Sequence, residues 1–392
     1  MPKPFNTKLL NFLFELSQKK HCMNYRTIAK EIRLENGKRL SEKTVQSWLN
    51  FLRSPSVFNG QKLYRKFTYH PNFCKELLDL EYFYVFVEDA KHDLLDAFSN
   101  IYHVVWVYDP KYGKKALVVS FLIPGNRVPS FRRKWVWLKK KGSVTNYKLF
   151  NVNTPYIVYS PWHKTVDSGG LFHPEGNAPF IIEKQINDFS RYWSDLPNPA
   201  MHRTIKNNPL IVPVLFEYDK ENISSPEAWN RMKARMGNDI WNYIKKKGRK
   251  NDGIGIKRIQ QTLKEIHANN MFHQVRVDYD PLELSNFWVY IYVNFPRKET
   301  ALNKLRDICR KSIVTYIYPE RNTCNLFIAA LINQNVMHDF FDSISDEKAY
   351  IRRTFFVLHS KSYDVMHNHI HRHINYWSLF DPERCRWVDK KN

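Results

Sequence analysis

The sequence is poor in cysteine, and it has no long apolar run. Its five cysteines are scattered and never spaced as C-x-x-C, which argues against a zinc ribbon or a disulfide scaffold and favours a reducing compartment. The longest apolar run, Leu326 to Ile332, is far too short to span a bilayer, and the N-terminal segment lacks the apolar core of a signal peptide. We therefore predict a cytoplasmic protein with no membrane partner.

The usual signatures of enzymes are also missing. The chain contains no P-loop, no G-x-G-x-x-G, no G-x-S-x-G and no defensible pair of catalytic carboxylates. Gly253-Ile254-Gly255 is a lone turn before a helix and a weak phosphate site. From these absences the sequence predicts a protein that is not an enzyme and that uses no cofactor.

Positive charge is what the sequence has in excess. Its 61 Lys and Arg against 38 Asp and Glu give a net charge of +23, and the pI is near 9.6. Such a balance indicates a polyanionic partner, with nucleic acid first and an acidic membrane surface second. An apolar content of 43% and 392 residues are enough for several folded domains of roughly 100–150 residues each.

One pattern of elements occurs twice along the chain. The clearer copy runs from Phe287 to Ser360, where short β-branched and aromatic runs alternate with two stretches of helical spacing. This order predicts a strand-helix-strand-strand-helix-strand module. A looser copy runs from Tyr82 to Tyr159, and a basic, helix-rich stretch precedes each copy.

The first basic stretch predicts a winged helix. Helices are expected from Asn6 to Ser17, from Tyr25 to Arg33 and from the Ser41 cap to Arg53, followed by a hairpin at Phe58-Asn59-Gly60 whose return strand is Leu63 to Tyr69. The third helix is the natural groove reader. Its outward face and the hairpin supply candidate DNA-binding residues, namely Lys43, Gln46, Ser47, Asn50, Arg53, Lys62 and Arg65.

The second basic stretch predicts another reader. Its last helix, Ile256 to Ala268, is expected to bury Ile256, Ile259, Leu263 and Ile266, and a strand from Met271 to Tyr279 takes the place of the wing. Lys, Arg and Gln side chains suit base edges and phosphates. The candidate residues are Lys246, Lys247, Arg249 and Lys250 in the run before the helix and Lys257, Arg258, Gln261 and Lys264 on its outward face.

Together these patterns predict an α+β protein with two winged helix-turn-helix domains, each followed by a ferredoxin-like βαββαβ domain. The boundaries are 1–72 for the first winged helix, 80–160 for the first βαββαβ domain, 161–206 for a linker, 207–282 for the second winged helix, 286–362 for the second βαββαβ domain and 363–392 for a C-terminal tail.

The segment from Ile256 to Leu282 followed by Phe287 to Ser360 resembles the Lrp/AsnC family of transcription regulators in the order and texture of its elements. The resemblance implies double-stranded DNA as a partner, homodimers built by pairing βαββαβ sheets and, in many members, a small-molecule effector held between sheets. This chain differs by carrying two units. It also has Arg321-Asn322-Thr323-Cys324-Asn325 where the family has a Gly-x-Tyr-Asp turn, so no effector residues are assigned.

Two other hypotheses belong to different classes. Tandem winged helices also serve plasmid and viral replication initiators. The cluster from His367 to His373 contains a His-apolar-His pair like that of metal-dependent single-strand nucleases, although it follows the last strand and lacks an evident acidic partner.

Two patterns of aromatic residues also bear on the structure, one among the cations near Trp135 and one in the first strand of each module. Trp135 and Trp137 stand among cations, so they either stack on bases or pack into the core. In each βαββαβ module the first strand is bulky and apolar on both faces, which one layer of helices cannot cover. We therefore expect the uncovered sheet faces to pack on each other, within one chain or across a dimer.

Overall fold

The computed structural model has mixed α and β structure with antiparallel sheets. It describes residues 6–20, 24–53, 56–58, 61–63, 66–88, 94, 98, 101–109, 114–168, 171–176, 179–195, 200–208, 210–220, 225–235, 256–280, 286–345, 351–357, 380–381 and 386–387. The α-helices among these residues are α1 (Thr7–Ser17), α2 (Tyr25–Glu31), α3 (Glu42–Arg53), α4 (Val128–Lys140), α5 (Trp162–Thr165), α6 (Pro179–Ser194), α7 (Ala200–Asn207), α8 (Ile211–Lys220), α9 (Ser225–Arg235), α10 (Ile256–Ala268), α11 (Lys298–Arg310) and α12 (Met337–Ser345).

The strands follow the predicted order in both copies of the repeat. They are β1 (Ser56–Phe58), β2 (Gln61–Leu63), β3 (Lys66–Phe73), β4 (Leu80–Glu88), β5 (Ile101–Asp109), β6 (Lys114–Pro124), β7 (Asn146–Val152), β8 (Tyr156–Tyr159), β9 (Phe272–Asp280), β10 (Asn286–Val293), β11 (Val314–Pro319), β12 (Leu326–Asn333), β13 (Ile351–Val357), β14 (Phe380–Asp381) and β15 (Arg386–Trp387). In the C-terminal copy, all six predicted elements of the module appear as β10, α11, β11, β12, α12 and β13.

The helices α1, α2 and α3 form where capping and apolar spacing agree. The Asn6 side chain accepts hydrogen bonds from first-turn amides of α1, and Ser41 Oγ accepts one from the Thr44 amide at 3.0 Å, which caps α3. The rings of Phe12 in α1 and Trp48 in α3 meet edge to face at 5.5 Å. The three predicted helices of this stretch are therefore confirmed, with α2 ending at Glu31.

The helices α8, α9 and α10 form a second group of three helices, in which each helix contacts the other two. Pro213 lies in the first turn of α8, where the amide of a helix has no intrahelical partner, so α8 continues to Lys220. The segment 161–206, predicted to be a linker, instead contains the helices α5 and α6 and most of α7.

The long strands β3 and β9, one in each half, pair with each other. The return strand of the first hairpin is β2, and the predicted strand up to Tyr69 instead belongs to β3. The second predicted wing strand is β9, which pairs antiparallel with β3 from Lys66 opposite Asp280 to Phe73 opposite Phe272. The strand predicted from Met271 to Tyr279 is therefore confirmed as β9, but it lies in a ladder between the two halves instead of in a wing, and that ladder satisfies the backbone groups of both strands. The shorter β1–β2 hairpin also forms.

The nine strands that include both repeated modules form one antiparallel sheet, in the order β7-β4-β6-β5-β13-β10-β12-β11-β8. The modules join edge to edge where β13 pairs with β5. The sheet also closes on itself, because Val152 at the end of β7 bridges to Glu320, just after β11, and the Asn153 amide donates to the Pro319 carbonyl at 2.7 Å. The outcome is a barrel that one chain builds from its two halves.

The interior of this barrel is aromatic. Tyr84 of β4 stacks on Phe327 of β12 at 4.4 Å and meets Tyr318 of β11 at 4.8 Å, while Phe150 of β7 lies 4.4 Å from Tyr292 of β10. Burial raises the pKa of Tyr84 and of Tyr318 well above the ordinary value, so both phenols stay neutral. The expected packing of sheet face on sheet face is confirmed, and it occurs inside the chain.

Helices cover the outside of the sheet. Phe83, Val85 and Val87 of β4 point away from the barrel interior and form a separate core with Phe131 and Trp135 of α4. On the other half, α6 packs against α11, where Arg306 makes a bidentate pair with Glu183. Within the described part of the chain, every helix is too short or too polar to cross a membrane.

Candidate nucleic-acid interface

Helix α3 presents a polar face to solvent. Val45, Leu49 and Leu52 are buried on the side of α3 that contacts α2 and β3, which leaves the opposite side outward. Four of the candidate DNA-binding residues are exposed there, namely Lys43, Gln46, Ser47 and Asn50. This face carries donors and acceptors that match base edges and a cation that matches phosphate.

The remaining candidates of the first unit are less well placed. Arg53 is the last residue of α3 and Lys62 lies in β2, but the side chains of both are outside the described part. Arg65 lies between described segments. Their roles stay predictions from the sequence.

Helix α10 presents a second polar face. Lys257, Gln261 and Lys264 are exposed and Arg258 is half-buried, while Ile259 and Ile266 are in the core. The buried side is also fixed by hydrogen bonds, because Asn208 Nδ2 donates to Thr262 Oγ1 at 3.1 Å and to Glu265 Oε2 at 2.7 Å. The rotation of α10 about its axis is therefore fixed, with its exposed cations and amides facing solvent.

One predicted core residue of α10 is misplaced. Ile256 was expected to be buried, yet it is 39% exposed. It is the first residue of the helix, and the first fully buried position is Ile259, so the packing begins almost one turn later. The basic run Lys246, Lys247, Arg249 and Lys250 before the helix lies outside the described residues.

The pairing of β3 with β9 holds these two helical units against each other. Helix α1 packs on β9, where the Val275 amide donates to the Lys19 carbonyl at 2.8 Å. Helix α8 packs on β3, where the rings of Phe216 and Phe73 meet at 5.5 Å. Each unit thus rests on the strand of the other, which is the arrangement expected around a local twofold axis.

A pocket of about 310 Å³ opens at this junction. It lies between the end of α1 and the end of α10, and its lining includes Lys19, Lys20 and His267 together with Glu31. The Lys19 ammonium donates to the Glu31 carbonyl at 3.4 Å. The pocket is therefore lined by charges of both signs and gives no preference for one class of ligand.

A thiol–imidazole pair lies at the end of the β3–β9 ladder, between Cys74 just after β3 and His273 in β9. Cys74 Sγ is 3.6 Å from His273 Nδ1, His273 Nε2 is 3.1 Å from the Pro155 carbonyl oxygen, and the Tyr192 ring stacks on the imidazole at 5.0 Å. Burial raises the pKa of Cys74 to about 12. The thiol therefore stays protonated at neutral pH. The imidazole lies within hydrogen-bond distance of this thiol, of the Pro155 carbonyl and of Asn72 Nδ2, which is 3.2 Å from Nε2. This geometry ties strands together and offers no thiolate nucleophile.

The turn between β11 and β12 keeps its shape without the family's glycine. Asn322 takes up the left-handed conformation with φ of 59°, which asparagine tolerates better than other non-glycine residues. Glu320 accepts hydrogen bonds from Asn325 Nδ2 at 2.7 Å and from the Tyr292 hydroxyl at 3.0 Å. The carboxylate of this turn is thus already bonded within the chain.

A metal centre is not built by the described ranges, in which no three His, Cys, Asp or Glu side chains are grouped to hold an ion. The cluster from His367 to His373 lies outside the described residues, so the nuclease hypothesis stays as the sequence left it.

The two tryptophans among the cations of α4 take different positions. Trp135 is fully buried in the outer core, whereas Trp137 is 49% exposed. The sequence alone left open whether both were in the core, and the signal that separates them is their spacing. Two residues correspond to about 200° of rotation around a helix, which turns one ring inward and the other outward.

No protein-family model matches the chain, and no curated protein matches it in sequence. Solved structures that resemble it include that of the siroheme decarboxylase NirDL, with a TM-score of 0.44, 11% identity and coverage of 90% of each chain. Two others are titled "putative monooxygenase". The one from Lactobacillus acidophilus NCFM has a TM-score of 0.25 and 6% identity, and covers 71% of this chain and 93% of that one. The one from Fusobacterium nucleatum has a TM-score of 0.26 and 8% identity, and covers 72% and 92%.

These titles correct one prediction. The sequence predicted that the chain is not an enzyme, and that prediction is contradicted because all three similar structures carry the names of enzymes. The names describe those proteins, and no substrate follows from them for this chain.

Proposed function

We propose that the chain is a cytoplasmic, sequence-selective protein that binds double-stranded DNA and regulates transcription. In this proposal α1–α3 with the β1–β2 hairpin form one winged-helix reader, and residues 207–282 form a second helical reader whose strand β9 pairs with β3. Each reader is followed by a ferredoxin-like unit, at 80–160 and 286–362. Residues 161–206 connect the halves, and residues 363–392 follow as a tail. The observation that carries the proposal is the crosswise packing of the two helical units on the β3–β9 ladder.

This packing matters because it fixes two readers relative to each other. A pair of reader helices on a local twofold axis contacts successive major grooves about one helical turn, or roughly 10 base pairs, apart. The two faces differ in their side chains, with Gln46 and Asn50 on α3 and Arg258 and Gln261 on α10. We therefore infer a bipartite site whose halves have different sequences.

The same arrangement makes a second chain unnecessary for binding. In the family that the sequence resembles, two chains pair their sheets, whereas here the sheet faces of the two halves already meet inside the barrel. We propose that one chain does the work of a family dimer and that it binds DNA as a monomer. Light scattering of the protein–DNA complex tests this, since a mass of two chains per duplex contradicts it.

The test of DNA reading begins with selection of bound sequences from random duplexes. The variant carrying Lys43→Ala, Gln46→Ala and Asn50→Ala should lose affinity for the selected duplex, because all three exposed side chains lie on the outward face of α3. The matched control is Lys184→Ala, which removes an exposed cation from α6, outside both readers. Equal affinity of the triple variant and the control would overturn the proposal.

The regulatory part of the proposal needs a separate measurement. Mapping of bound sites across a genome distinguishes a regulator, whose sites lie at promoters, from a replication initiator, whose sites cluster at an origin. Sites confined to one origin would assign the DNA-binding activity to initiation.

A further inference from the structure

The outward side of α4 has an unusual composition. No Asp or Glu occurs between Pro110 and Val166, and α4 stands in the middle of this acid-free stretch. The helix buries Phe131, Trp135 and Leu138 against its own sheet. Its opposite side, which we call the α4 surface, consists of exposed residues, namely Arg133, Val136, Trp137, Lys140 and Lys141.

An exposed tryptophan is the centre of this surface. The Trp137 side chain is 49% exposed and Val136 beside it is 48% exposed, whereas most large apolar side chains of the described residues are buried. The Lys141 ammonium lies 4.4 Å from the centroid of the Trp137 ring. Arg133 is one turn before Trp137 on the same side of the helix. Lys141 therefore lies over one face of the Trp137 ring, and about half of the indole is still accessible to a ligand.

The end of the helix explains part of the charge but not all of it. Gly142, at φ of 69°, closes α4, and its amide donates to the Lys139 carbonyl at 3.1 Å. Cations in the last turn are favoured by the helix dipole, which accounts for Lys140 and Lys141. That effect fades within one turn, so it accounts neither for Arg133 nor for an exposed indole.

We propose that the α4 surface binds single-stranded nucleic acid, with a base stacked on Trp137 and the flanking phosphates on Arg133, Lys140 and Lys141. Every base offers an aromatic face once it is unpaired, and cations beside the ring neutralise the backbone. A duplex hides its base faces, so this surface discriminates between single and double strands. Arg133 and Lys141 are about 12 Å apart along the helix, a span of roughly two to three nucleotides.

The observations favour a nucleic acid over an anionic membrane. A helix that lies in a membrane interface needs a continuous apolar face for the lipid. In α4 that face is occupied by the protein's own core, and only Val136 and Trp137 are apolar on the side that faces out. The α4 surface shares no residue with the proposed readers, so single-strand binding there does not depend on duplex binding by α3 and α10.

The test measures anisotropy of fluorescein-labelled oligo-dT and oligo-U 15-mers on the full-length protein. Trp137→Ala should weaken binding by about five- to a hundredfold, the range for loss of one stacked base, and Trp137→Phe should retain most of the affinity. Arg133→Gln with Lys140→Gln should flatten the plot of log affinity against log salt by about 1.4. Phe180→Ala is the matched control, because Phe180 is an exposed aromatic side chain of α6, 70% accessible, and its loss should change nothing.

Three results would overturn the proposal. The first is unchanged oligonucleotide binding by folded Trp137→Ala, with folding checked by its melting curve. The second is loss of binding to vesicles of anionic phospholipid by the same variant while oligonucleotide binding persists, which would make the surface a lipid site. The third is loss of oligonucleotide binding in the α3 triple variant, which would place single-strand binding on the readers.

Discussion

At the scale of single residues, the two glutamines on the outward faces test which helices read bases. An amide side chain can make two hydrogen bonds to adenine, and loss of such a pair costs about 1–3 kcal/mol at the base pair concerned. Gln46→Ala and Gln261→Ala should each relax preference at one position of the selected site. Competition with duplexes that carry single base-pair changes measures this effect. A uniform loss on selected and random DNA would show that the amides contact phosphates.

His273 tests the thiol–imidazole pair as a tie between strands. Replacement by alanine removes the ring that contacts the Cys74 thiol, the Pro155 carbonyl and the Tyr192 ring, and leaves Asn72 Nδ2 as a donor to that carbonyl. His273→Ala should therefore lower the free energy of unfolding by about 1–3 kcal/mol in urea. His338→Ala, an exposed histidine, is the control and should stay within about 0.5 kcal/mol of the parent. Equal stability of the two variants would mean that the pair does not tie the strands.

At the scale of secondary-structure elements, the contact of α6 with α11 should depend on pH. Hydrogen bonds from Arg306 at 2.6 and 2.8 Å lower the pKa of Glu183 below its usual value. A lowered pKa stabilises the fold above the carboxyl's unfolded value, and this contribution disappears as the pH falls through the folded value. Both side chains are partly exposed, so the pair contributes no more than about 1 kcal/mol. Glu183→Gln should remove this part of the pH dependence, and an unchanged stability profile between pH 3 and 6 would contradict it.

The packing of the two sheet faces is a second prediction at this scale. Tyr290→Asp together with Tyr292→Asp places carboxylates among buried rings, so the stability should fall by at least about 4 kcal/mol. Because the contact lies within one chain, the molar mass should not change. Leu171→Asp, at a residue that is 46% exposed, serves as the control. A drop in mass without a loss of stability would place the contact between chains instead.

Most elements could be predicted from local sequence because their signals are local. Ser41 caps α3, and the alternation of Trp288, Tyr290 and Tyr292 with aliphatic residues indicated a strand apolar on both faces, from which sheet-on-sheet packing followed. Pairing over long distances was not predictable in this way. Phe73 and Phe272 are partners although about half of the chain separates them, and nothing near either residue indicates the other. The pairing of β3 with β9 was missed for that reason.

At the scale of the whole molecule, the excess of positive charge sets the salt dependence of DNA binding. Two readers that share roughly six to ten phosphate contacts release a similar number of counterions, so affinity should fall by roughly 10³–10⁵ between 50 and 200 mM salt. Titration of the selected duplex at several salt concentrations measures the slope. An affinity that does not change with salt would rule out phosphate contacts as the main source of binding energy.

The joining of both halves into one barrel has a consequence for the way in which such a protein can change over generations. In a homodimer each substitution appears twice, so the two ends of the assembly remain identical. Here α3 and α10 are encoded separately, and either can change its preference while the other is retained. A protein built in this way sits on DNA with a defined left and right. Proteins bound on the two sides then meet different surfaces. The orientation of the binding site relative to neighbouring sites therefore affects such contacts, which it cannot do for a palindrome.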